Sequence, residues 1–308
     1  MTMALSLQEW MQSQAQHVES MLLRHLPART PSTNAAPQAS LDTLHTAMHY
    51  AVLDGGKRIR PLLVYAVAPL SATAPLQAFD HAAVAVELIH AYSLVHDDLP
   101  CMDNDILRRG KPTVHVRFGE ALALLAGDAL QTLAFDVLSQ TPLPPAQVVT
   151  LLQTLAQASG AAGMCGGQAI DLGSVGSQLE RATLESMHCL KTGALLRASV
   201  RLGAICADLN AAQQTSLDVY ASALGLAFQV VDDILDVEAD TATLGKTAGK
   251  DAAQEKPTYV SLLGLSAAKT LASALREEGR TALQTLAQDL PNTERLAQLL
   301  DYVVQRTH

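Results

Sequence analysis

Four carboxylates crowd into nine residues of this chain, at the end of a strongly apolar segment. They are Asp97, Asp98, Asp103 and Asp105. Like charges this close raise one another's pKa and destabilise a fold unless a cation or several donors neutralise them. A hard cation that prefers oxygen ligands is the simplest partner. On an ideal helix Asp97 and Asp103 would lie about 240° apart, and Pro100 interrupts the helical hydrogen bonds, so we expect the helix to unwind after Asp98.

A second acidic cluster lies inside another apolar segment. It consists of Asp232, Asp233 and Asp236. Asp232 and Asp236 are four residues apart, so they share one face of a helix and can bind one ion together. A lone acidic triplet is more often a solvated helix end. Two such clusters within apolar segments favour a metal site.

Two basic segments accompany the acidic clusters. Residues 55–61 contain Lys57, Arg58 and Arg60, and residues 107–112 follow the first acidic cluster directly. Both combine glycine with several cations, a pattern typical of phosphate-binding loops, because Arg offers a bidentate fork and Lys a point charge. Ordinary surface cations beside loops are the alternative.

A nucleotide-binding P-loop is excluded by its spacing. The letters Gly245-Lys246-Thr247 match the end of that motif, but Asp240 stands where the first glycine is required. Magnesium held by carboxylates usually completes its shell with waters and substrate phosphates. Carboxylates, cations and helices together therefore predict a diphosphate substrate.

The apolar spacing predicts an all-α fold. Ala, Leu, Gln and Glu dominate long segments with apolar residues three and four apart, and alternating β-branched residues are nearly absent. Proline and glycine clusters separate about ten helices, and the polar stretch 31–40 is expected to be a loop. Five segments are apolar on most faces, which predicts central helices; they lie near residues 82–98, 120–140, 147–170, 180–207 and 212–237. With no repeat and no linker, one domain over residues 1–308 is expected.

The composition limits the partners and the location. The 308 residues are 49% hydrophobic and carry a formal net charge of −9, which argues against a nucleic-acid or anionic-membrane surface. The first twenty residues resemble neither a signal peptide nor a transit peptide, and the apolar runs are too interrupted to span a bilayer. We therefore expect a cytoplasmic protein without stable membrane insertion. The four cysteines are scattered and are expected to be reduced.

An ordered set of short motifs runs along the chain. The longer ones are GGKR at 55–58, YSLVHDD at 92–98, RRGKPT at 108–113 and FQVVDDILD at 228–236. The shorter ones are GDAL at 127–130, GQ at 167–168 with Asp171, KTG at 191–193 and LGK at 244–246. Together these motifs resemble those of the bacterial farnesyl diphosphate synthases of the trans-isoprenyl diphosphate synthase family, also called polyprenyl synthetases. The resemblance covers essentially the whole chain, and the ordered set is far more specific than any single motif.

The resemblance implies a bundle of roughly ten helices around a deep cavity, commonly in a homodimer, with three Mg²⁺ ions between the two aspartate motifs when substrate is bound. The metal ligands would be Asp97, Asp98, Asp103, Asp232 and Asp236. The isopentenyl diphosphate site would contain Lys57, Arg60, His90 and Arg109. The allylic diphosphate would be held by Arg108, Lys191, Lys246 and Lys256. The residues that face the allylic cation would be Thr192 and Gln229.

The resemblance also implies a condensation that begins when the allylic carbon–oxygen bond breaks and metal ions and cations take up the charge. An apolar cavity would keep water from the carbocation, and the released diphosphate would remove the proton, so neither His90 nor His96 has to be a base. Tyr92, five residues before Asp97, would form the floor that stops growth at fifteen carbons, with Ser93 beside it.

The sequence departs from the family pattern at two places. Ile106 stands where several relatives carry another Asp, although the spacing of the other carboxylates is intact. Relatives have a basic tail that closes the site, whereas residues 305–308 of this chain contain Arg306 as the one arginine or lysine.

Three alternative functions remain open. A terpene cyclase also opens diphosphates with magnesium, but it normally has a mixed Asn, Ser and Glu motif in place of the second cluster. A non-catalytic partner subunit of a prenyl synthase usually loses one aspartate motif, and both are complete here. A geranyl or geranylgeranyl diphosphate synthase would differ only in the depth of its cavity.

Overall fold

A computed structural model describes residues 5–28, 36–53, 55–71, 73–174, 176, 179–238 and 258–306. The α-helices are α1 Leu7–His25, α2 Ala36–Val52, α3 Ile59–Val67, α4 Leu76–Asp97, α5 Val114–Phe118, α6 Glu120–Ser139, α7 Pro145–Ser159, α8 Met164–Gly173, α9 Arg181–His188, α10 Ala194–Cys206, α11 Ala211–Glu238, α12 Tyr259–Leu263, α13 Leu265–Leu286 and α14 Glu294–Gln305. A 3₁₀ turn, Ala68–Leu70, follows α3, and a π-helical turn, Cys189–Gly193, joins α9 to α10. The predicted all-α fold is confirmed.

Helix α4 lies at the centre of the bundle. Residues 78–89 are buried without exception, because α3, α6 and α10 all pack against this helix. A helix that is apolar on every face is expected in such a position. Helix α4 therefore runs through the core and ends at the first aspartate cluster.

A short hairpin follows the first aspartate cluster. Strand β1, Leu107–Arg108, pairs antiparallel with β2, Lys111–Pro112. The two residues between them, Arg109 and Gly110, both have positive φ, at 52° and 73°. That combination is the one a two-residue hairpin turn requires. Arg108 lies against Asp98 at the end of α4, while Arg109 donates to the carbonyl oxygen of Gly55.

Helix α6 differs from the prediction for residues 120–140. Ala126 and Leu130 are buried against α4, but Leu124 is 48% exposed and Leu125 is 51% exposed. The prediction of a central, fully buried helix is therefore wrong for one face of α6. Length and composition alone would let this helix cross a membrane, although Asp128 lies on its exposed face.

The start of α2 also differs from the prediction. The stretch 31–40 was expected to be a loop, yet α2 begins at Ala36. Pro37 is compatible with helix at this place, since the N–H that proline lacks would have no partner in the first turn. A proline-containing segment does separate two helices further along the chain, where residues 140–144 lie between α6 and α7.

Candidate active site

Asp97 and Asp103 lie together at the C-terminal end of α4. The backbone N–H of Asp103 donates to the carbonyl oxygen of Asp97 at 2.8 Å, and the N–H of Asn104 donates to that of Leu99 at 3.1 Å. Asn104 has a φ of 51°, a conformation that asparagine tolerates better than most residues. The chain thus turns back on itself, and the predicted unwinding after Asp98 is confirmed.

The Asp97 carboxyl lies in surroundings that disfavour its charge. Burial raises its pKa to about 6; Lys191 and Arg108 lower the pKa, while Asp103 and Asp98 raise it further. A cation bound between Asp97 and Asp103 would offset the burial and the repulsion. The turn at the end of α4 therefore fits a divalent metal ion.

Asp98 points away from that turn, toward the hairpin. Its side chain is 2% exposed, and both of its oxygens accept from Nε of Arg108 at 2.9 Å, while the Arg108 NH2 group donates to Oδ1 at 2.6 Å. A bidentate pair of this kind fixes the guanidinium in one orientation. Asp98 thereby holds Arg108 at the site, and a supporting role for Asp98 at the metal stays a prediction.

On α11, Asp232 and Asp236 differ in exposure. The Asp232 side chain is 38% exposed and accepts a hydrogen bond from Arg306 at 2.7 Å. Arg306 also donates to the carbonyl oxygen of Phe228 at 2.8 Å and lies 4.0 Å from the centre of its ring. Asp236 is buried. Asp232 is therefore the member of this predicted pair that stands at the opening of a pocket.

The carboxylates do not form a closed metal cage. Within the part of the chain that the structure describes, no three His, Cys, Asp or Glu side chains converge closely enough to hold a metal ion by themselves. Magnesium usually keeps several waters and binds through one or two carboxylates together with substrate phosphates. The arrangement therefore fits an ion that arrives with a diphosphate, and the number of ions stays a prediction.

All four residues predicted for the isopentenyl diphosphate site line one pocket of about 280 Å³. The charged and polar residues around it include Lys57, Arg60, His90, Arg109, Asp232 and Arg306. Nε of Arg60 is buried and has no hydrogen-bond partner among the described residues. A buried donor without a partner is costly, so this group fits an anion that enters the pocket.

The cations of this pocket are poorly solvated. Burial lowers the pKa of Arg60 to about 10 and also lowers the pKa of Lys57 and Arg109. Burial, followed by the fields of Arg60 and Arg109, holds the pKa of His90 well below its ordinary value. His90 is thus neutral at physiological pH, and a neutral imidazole can both donate and accept a hydrogen bond.

Arg58 was expected beside Lys57 and Arg60 in the phosphate-binding loop, but it points into the protein. Its guanidinium donates to Glu87 at 2.5 Å and to Glu19 at 2.6 Å. Arg58 borders the pocket, but its guanidinium is held by these two carboxylates. The prediction of three phosphate-binding cations in this loop is therefore wrong for Arg58.

Lys191 and Thr192 occupy the π-helical turn between the two aspartate motifs. Nζ of Lys191 donates to Asp171 at 2.5 Å, and the Thr192 hydroxyl donates to Oε1 of Gln229 at 3.3 Å. A Cβ atom on Gly167 would lie 2.1 Å from the backbone nitrogen of Lys191. Only glycine permits this approach of α8, which brings the turn to the cavity.

Lys246 and Lys256 lie outside the described residues, so the structure adds nothing to their predicted role at the allylic diphosphate.

The family follows from comparison with known proteins. The family model described as polyprenyl synthetase matches residues 41–302. The chain belongs to the polyprenyl synthetase family. It is therefore a prenyltransferase, and the family recognised from the ordered motifs is confirmed. A farnesyl diphosphate synthase of Escherichia coli (strain K12) is 52% identical over 263 residues, which are 84% of this chain and 88% of that protein.

The fold of this polyprenyl synthetase matches solved structures along nearly the whole chain. An FPP/GFPP synthase from Zymomonas mobilis superimposes with a TM-score of 0.85 at 40% identity, covering 97% of this chain and 99% of the other. A geranyltransferase from Helicobacter pylori, solved with magnesium and isoprenyl diphosphate, gives a TM-score of 0.84 at 33% identity, covering 99% and 100%.

In this polyprenyl synthetase, Tyr92 lies on the buried side of α4, below the first aspartate cluster. Its hydroxyl is 3.8 Å from Sγ of Cys165, and its ring meets that of His96 edge to face at 5.7 Å. The Ser93 hydroxyl instead donates to the carbonyl oxygen of His90 at 2.9 Å. Tyr92 is thus held by contacts on two sides, as a cavity floor requires, and both chain-length roles remain predictions.

Sequence reasoning gave no role to Glu87, and it placed Asp233 in the second acidic cluster without recognising that this carboxylate is buried. Glu87 neutralises Arg58 beneath the cationic pocket. Asp233 is 2% exposed and accepts two hydrogen bonds inside the protein. Each stands among apolar residues on a central helix, and that position in the sequence is the signal that could have identified them as buried partners.

Proposed function

We propose that this protein condenses isopentenyl diphosphate with dimethylallyl or geranyl diphosphate to give farnesyl diphosphate, with magnesium as the required ion. The observation that carries the proposal is the cationic pocket around Arg60, whose buried Nε lacks a partner among the described residues. That pocket opens beside Asp232, and the turn at Asp97 and Asp103 supplies the other carboxylates. The name of the Escherichia coli relative supports the same product.

The allylic diphosphate would bind between the two aspartate motifs. Bound magnesium would supply charge neutralisation to the leaving diphosphate; the residues that would hold it are Asp97, Asp103 and Asp232. Arg108 and Lys191, each held by a carboxylate of its own, would bind the phosphate oxygens directly. Because these groups are already oriented, they stabilise the leaving group without rearrangement.

The carbon end of the allylic substrate would face Thr192 and Gln229. Their oxygens can direct negative dipole toward the carbon that becomes positive when the carbon–oxygen bond breaks. Tyr92 and the apolar residues of α4 would exclude water from that carbon. These groups bind and shield the cation, and none of them has to exchange a proton.

The second substrate, isopentenyl diphosphate, would be oriented by the cationic pocket. Lys57, Arg60 and Arg109 would bind its diphosphate, and neutral His90 would offer a hydrogen bond. Its double bond would attack the allylic carbon, and the diphosphate released in the first step would accept the proton. Holding two reactants in line converts an encounter in solution into a unimolecular step.

Fifteen carbons is the product length that Tyr92 favours. The ring lies roughly one helical turn and a half below Asp97, so it would meet the growing end of a farnesyl chain. One structural relative is named an FPP/GFPP synthase, which makes a longer product the alternative within the same chemistry.

We further propose a cytoplasmic homodimer that binds neither nucleic acid nor membrane stably. The exposed apolar residues Leu124 and Leu125 on α6, with Val149 on the neighbouring α7, offer a surface for a second copy of the chain. The net charge of −9 opposes binding to nucleic acid or anionic lipid.

The test is incubation of the purified protein with isopentenyl diphosphate, either allylic diphosphate and Mg²⁺, followed by chromatography of the dephosphorylated products. Farnesol that disappears on chelation with EDTA is expected. A longer or shorter prenol would keep the prenyltransferase activity and reject the floor at Tyr92. Absence of any magnesium-dependent prenol would favour a non-catalytic partner subunit.

A further inference from the structure

Asp233 sits in the second aspartate motif but has the environment of an internal residue. Its exposure is 2%, whereas the adjacent Asp232 side chain is 38% exposed and lines the cationic pocket. The two residues are one position apart on α11, so they face directions about 100° apart. Asp233 therefore points into the packing between helices, away from the opening where Asp232 lies.

Both oxygens of Asp233 accept hydrogen bonds from within the protein. Oδ1 accepts from Nε2 of Gln229 at 2.9 Å, one helical turn earlier on α11. Oδ2 accepts from the backbone N–H of Tyr259 at 2.8 Å. Buried charged hydrogen bonds of this kind are stronger than neutral ones, so Asp233 fixes the position of both donors.

The bond to Asp233 decides which way the Gln229 amide is turned. Because Nε2 of Gln229 donates to Oδ1 of Asp233, the amide presents its NH₂ group to this carboxyl group. The amide oxygen then points to the other side, where it accepts from the hydroxyl of Thr192 at 3.3 Å. If the amide were reversed, two acceptors would meet at Asp233 and an NH₂ group would face Thr192.

The hydrogen bond from Tyr259 to Asp233 links α11 to α12, which packs close to the π-helical turn. Tyr259 is the first residue of α12 and is fully buried, and its ring stacks on that of His188 at 5.5 Å. His188 is the last residue of α9, immediately before the π-helical turn that carries Thr192. Asp233 thus joins α11, α12 and the turn, and each contact limits the movement of the others.

We propose that Asp233 is a positioning residue which orients the Gln229 amide oxygen toward the allylic cation. The inference rests on the proposed function, in which Thr192 and Gln229 face that cation. Asp233 would not bind magnesium, and its carboxylate would act on the reaction through the amide. A reversed amide would direct the positive end of its dipole at a carbon that becomes positive.

The test compares Asp233→Asn with the wild-type enzyme. The substituted side chain has one acceptor and one donor group, so either Gln229 or Tyr259 must face an NH₂ group, and the amide of Gln229 is no longer forced into one orientation. We expect kcat to fall at least tenfold, while the KM for isopentenyl diphosphate and the Mg²⁺ concentration at half-maximal rate change less than twofold.

A double variant restores the geometry with the charges exchanged. In Asp233→Asn with Gln229→Glu, the new carboxylate accepts from the NH₂ group of the new amide, and the oxygen of that amide accepts from Tyr259. We expect the double variant to regain at least half of the kcat lost by Asp233→Asn. Asp218→Asn, an exchange on the outer part of the same helix where Asp218 faces Arg201 at 3.5 Å, serves as the matched control.

The outcomes separate this inference from the proposed function. Wild-type kcat in Asp233→Asn, or a several-fold rise in its Mg²⁺ requirement with no rescue by the double variant, would overturn the positioning role. If Asp233→Asn alone does not fold, the test uses the double variant, whose kcat and Mg²⁺ requirement are compared with those of the wild type. If the wild-type enzyme forms no magnesium-dependent product, the proposed function itself is contradicted.

Discussion

The predicted role of Tyr92 as the floor of the cavity rests on the contacts of one side chain. It is buried on α4, with the Cys165 thiol 3.8 Å from its hydroxyl and the His96 ring at 5.7 Å. These contacts leave the ring little freedom to move aside for a longer chain. We therefore expect the side chain itself, and not the backbone of α4, to set the depth of the cavity.

Replacing Tyr92 with Ala should lengthen the product. The truncation would open a space of roughly the volume of a ring below the farnesyl chain, and a further isopentenyl unit could enter it. We expect prenols of twenty or more carbons from Tyr92→Ala by chromatography, and unchanged product length from Tyr92→Phe, which keeps the ring. Farnesol as the sole product of Tyr92→Ala would show that another residue forms the floor.

Asp97 carries a pH dependence that follows from its raised pKa. The pKa of this carboxyl is 3.8 in the unfolded chain and about 6 in the folded protein, chiefly because of burial. The folded state therefore binds the proton more tightly, and stability falls as the pH rises from about 4 to 6. Above that range the metal-free protein has lost on the order of 1–3 kcal/mol through this one group.

Asp97→Asn should stabilise the metal-free protein while removing a metal ligand. In EDTA at pH 7.5 we expect its Tm to exceed that of the wild type by roughly 2–8 °C. At pH 4.5 the difference should shrink, because the wild-type carboxyl is then protonated in the folded state. Thermal melting at the two pH values checks this, with Asp218→Asn as control. A variant that melts below the wild type at pH 7.5 would contradict it.

At the scale of elements, the π-helical turn Cys189–Gly193 depends on the close approach of α8. A Cβ on Gly167 would lie 2.1 Å from the nitrogen of Lys191, a backbone atom that cannot turn aside. The turn also touches α11, where a Cβ on Gly225 would lie 3.1 Å from the Cα of Gly193. Two glycines therefore hold the turn between α8 and α11.

Gly167→Ala should displace this turn and with it Lys191 and Thr192. We expect a loss of stability of about 1–3 kcal/mol from overpacking and a fall in kcat of at least tenfold, measured by thermal melting and by product formation. Gly173→Ala is the matched control at the end of the same helix, where a Cβ would meet no atom within 4 Å. Equal effects of the two substitutions would rule out the steric explanation.

The sequence predicts the positions of the helices and the aspartates better than the partners of its side chains. Pro100 and the six-residue spacing between Asp97 and Asp103 require the turn that the structure shows. The diversion of Arg58 to Glu87 and Glu19 could not be predicted in the same way. These partners lie 29 and 39 residues away, and spacing within one motif carries no information about contacts between helices.

The exposed face of α6 could not be predicted for a similar reason. Apolar residues on several faces indicate burial, but they do not say whether the cover is this chain or another. In the whole molecule that face continues from Ala121 through Leu124 and Leu125 to Asp128. An apolar surface rimmed by polar residues is typical of a contact between proteins.

Helix α6 also connects this surface to the predicted metal site. Nε2 of His96 is 3.0 Å from the carbonyl oxygen of Leu124, and a Cβ on Gly127 would lie 2.1 Å from the same nitrogen. His96 directly precedes Asp97 on α4. A partner that packs on α6 would therefore brace the helix that holds the first aspartate cluster, so assembly and activity should change together.

Leu125→Lys should separate the proposed dimer and lower its activity. A charge at the centre of an apolar contact would have to be buried without a partner, so we expect light scattering after size-exclusion chromatography to give the mass of one chain for the variant and twice that mass for the wild type. Leu23→Lys on α1 is the matched control, because Leu23 is similarly exposed but lies on a different helix. A wild-type protein with the mass of one chain, or a variant that stays dimeric, would place the partner elsewhere. We expect kcat to fall in Leu125→Lys and to stay unchanged in Leu23→Lys. That difference would show that the contact supports His96 and the predicted metal-binding turn beside it.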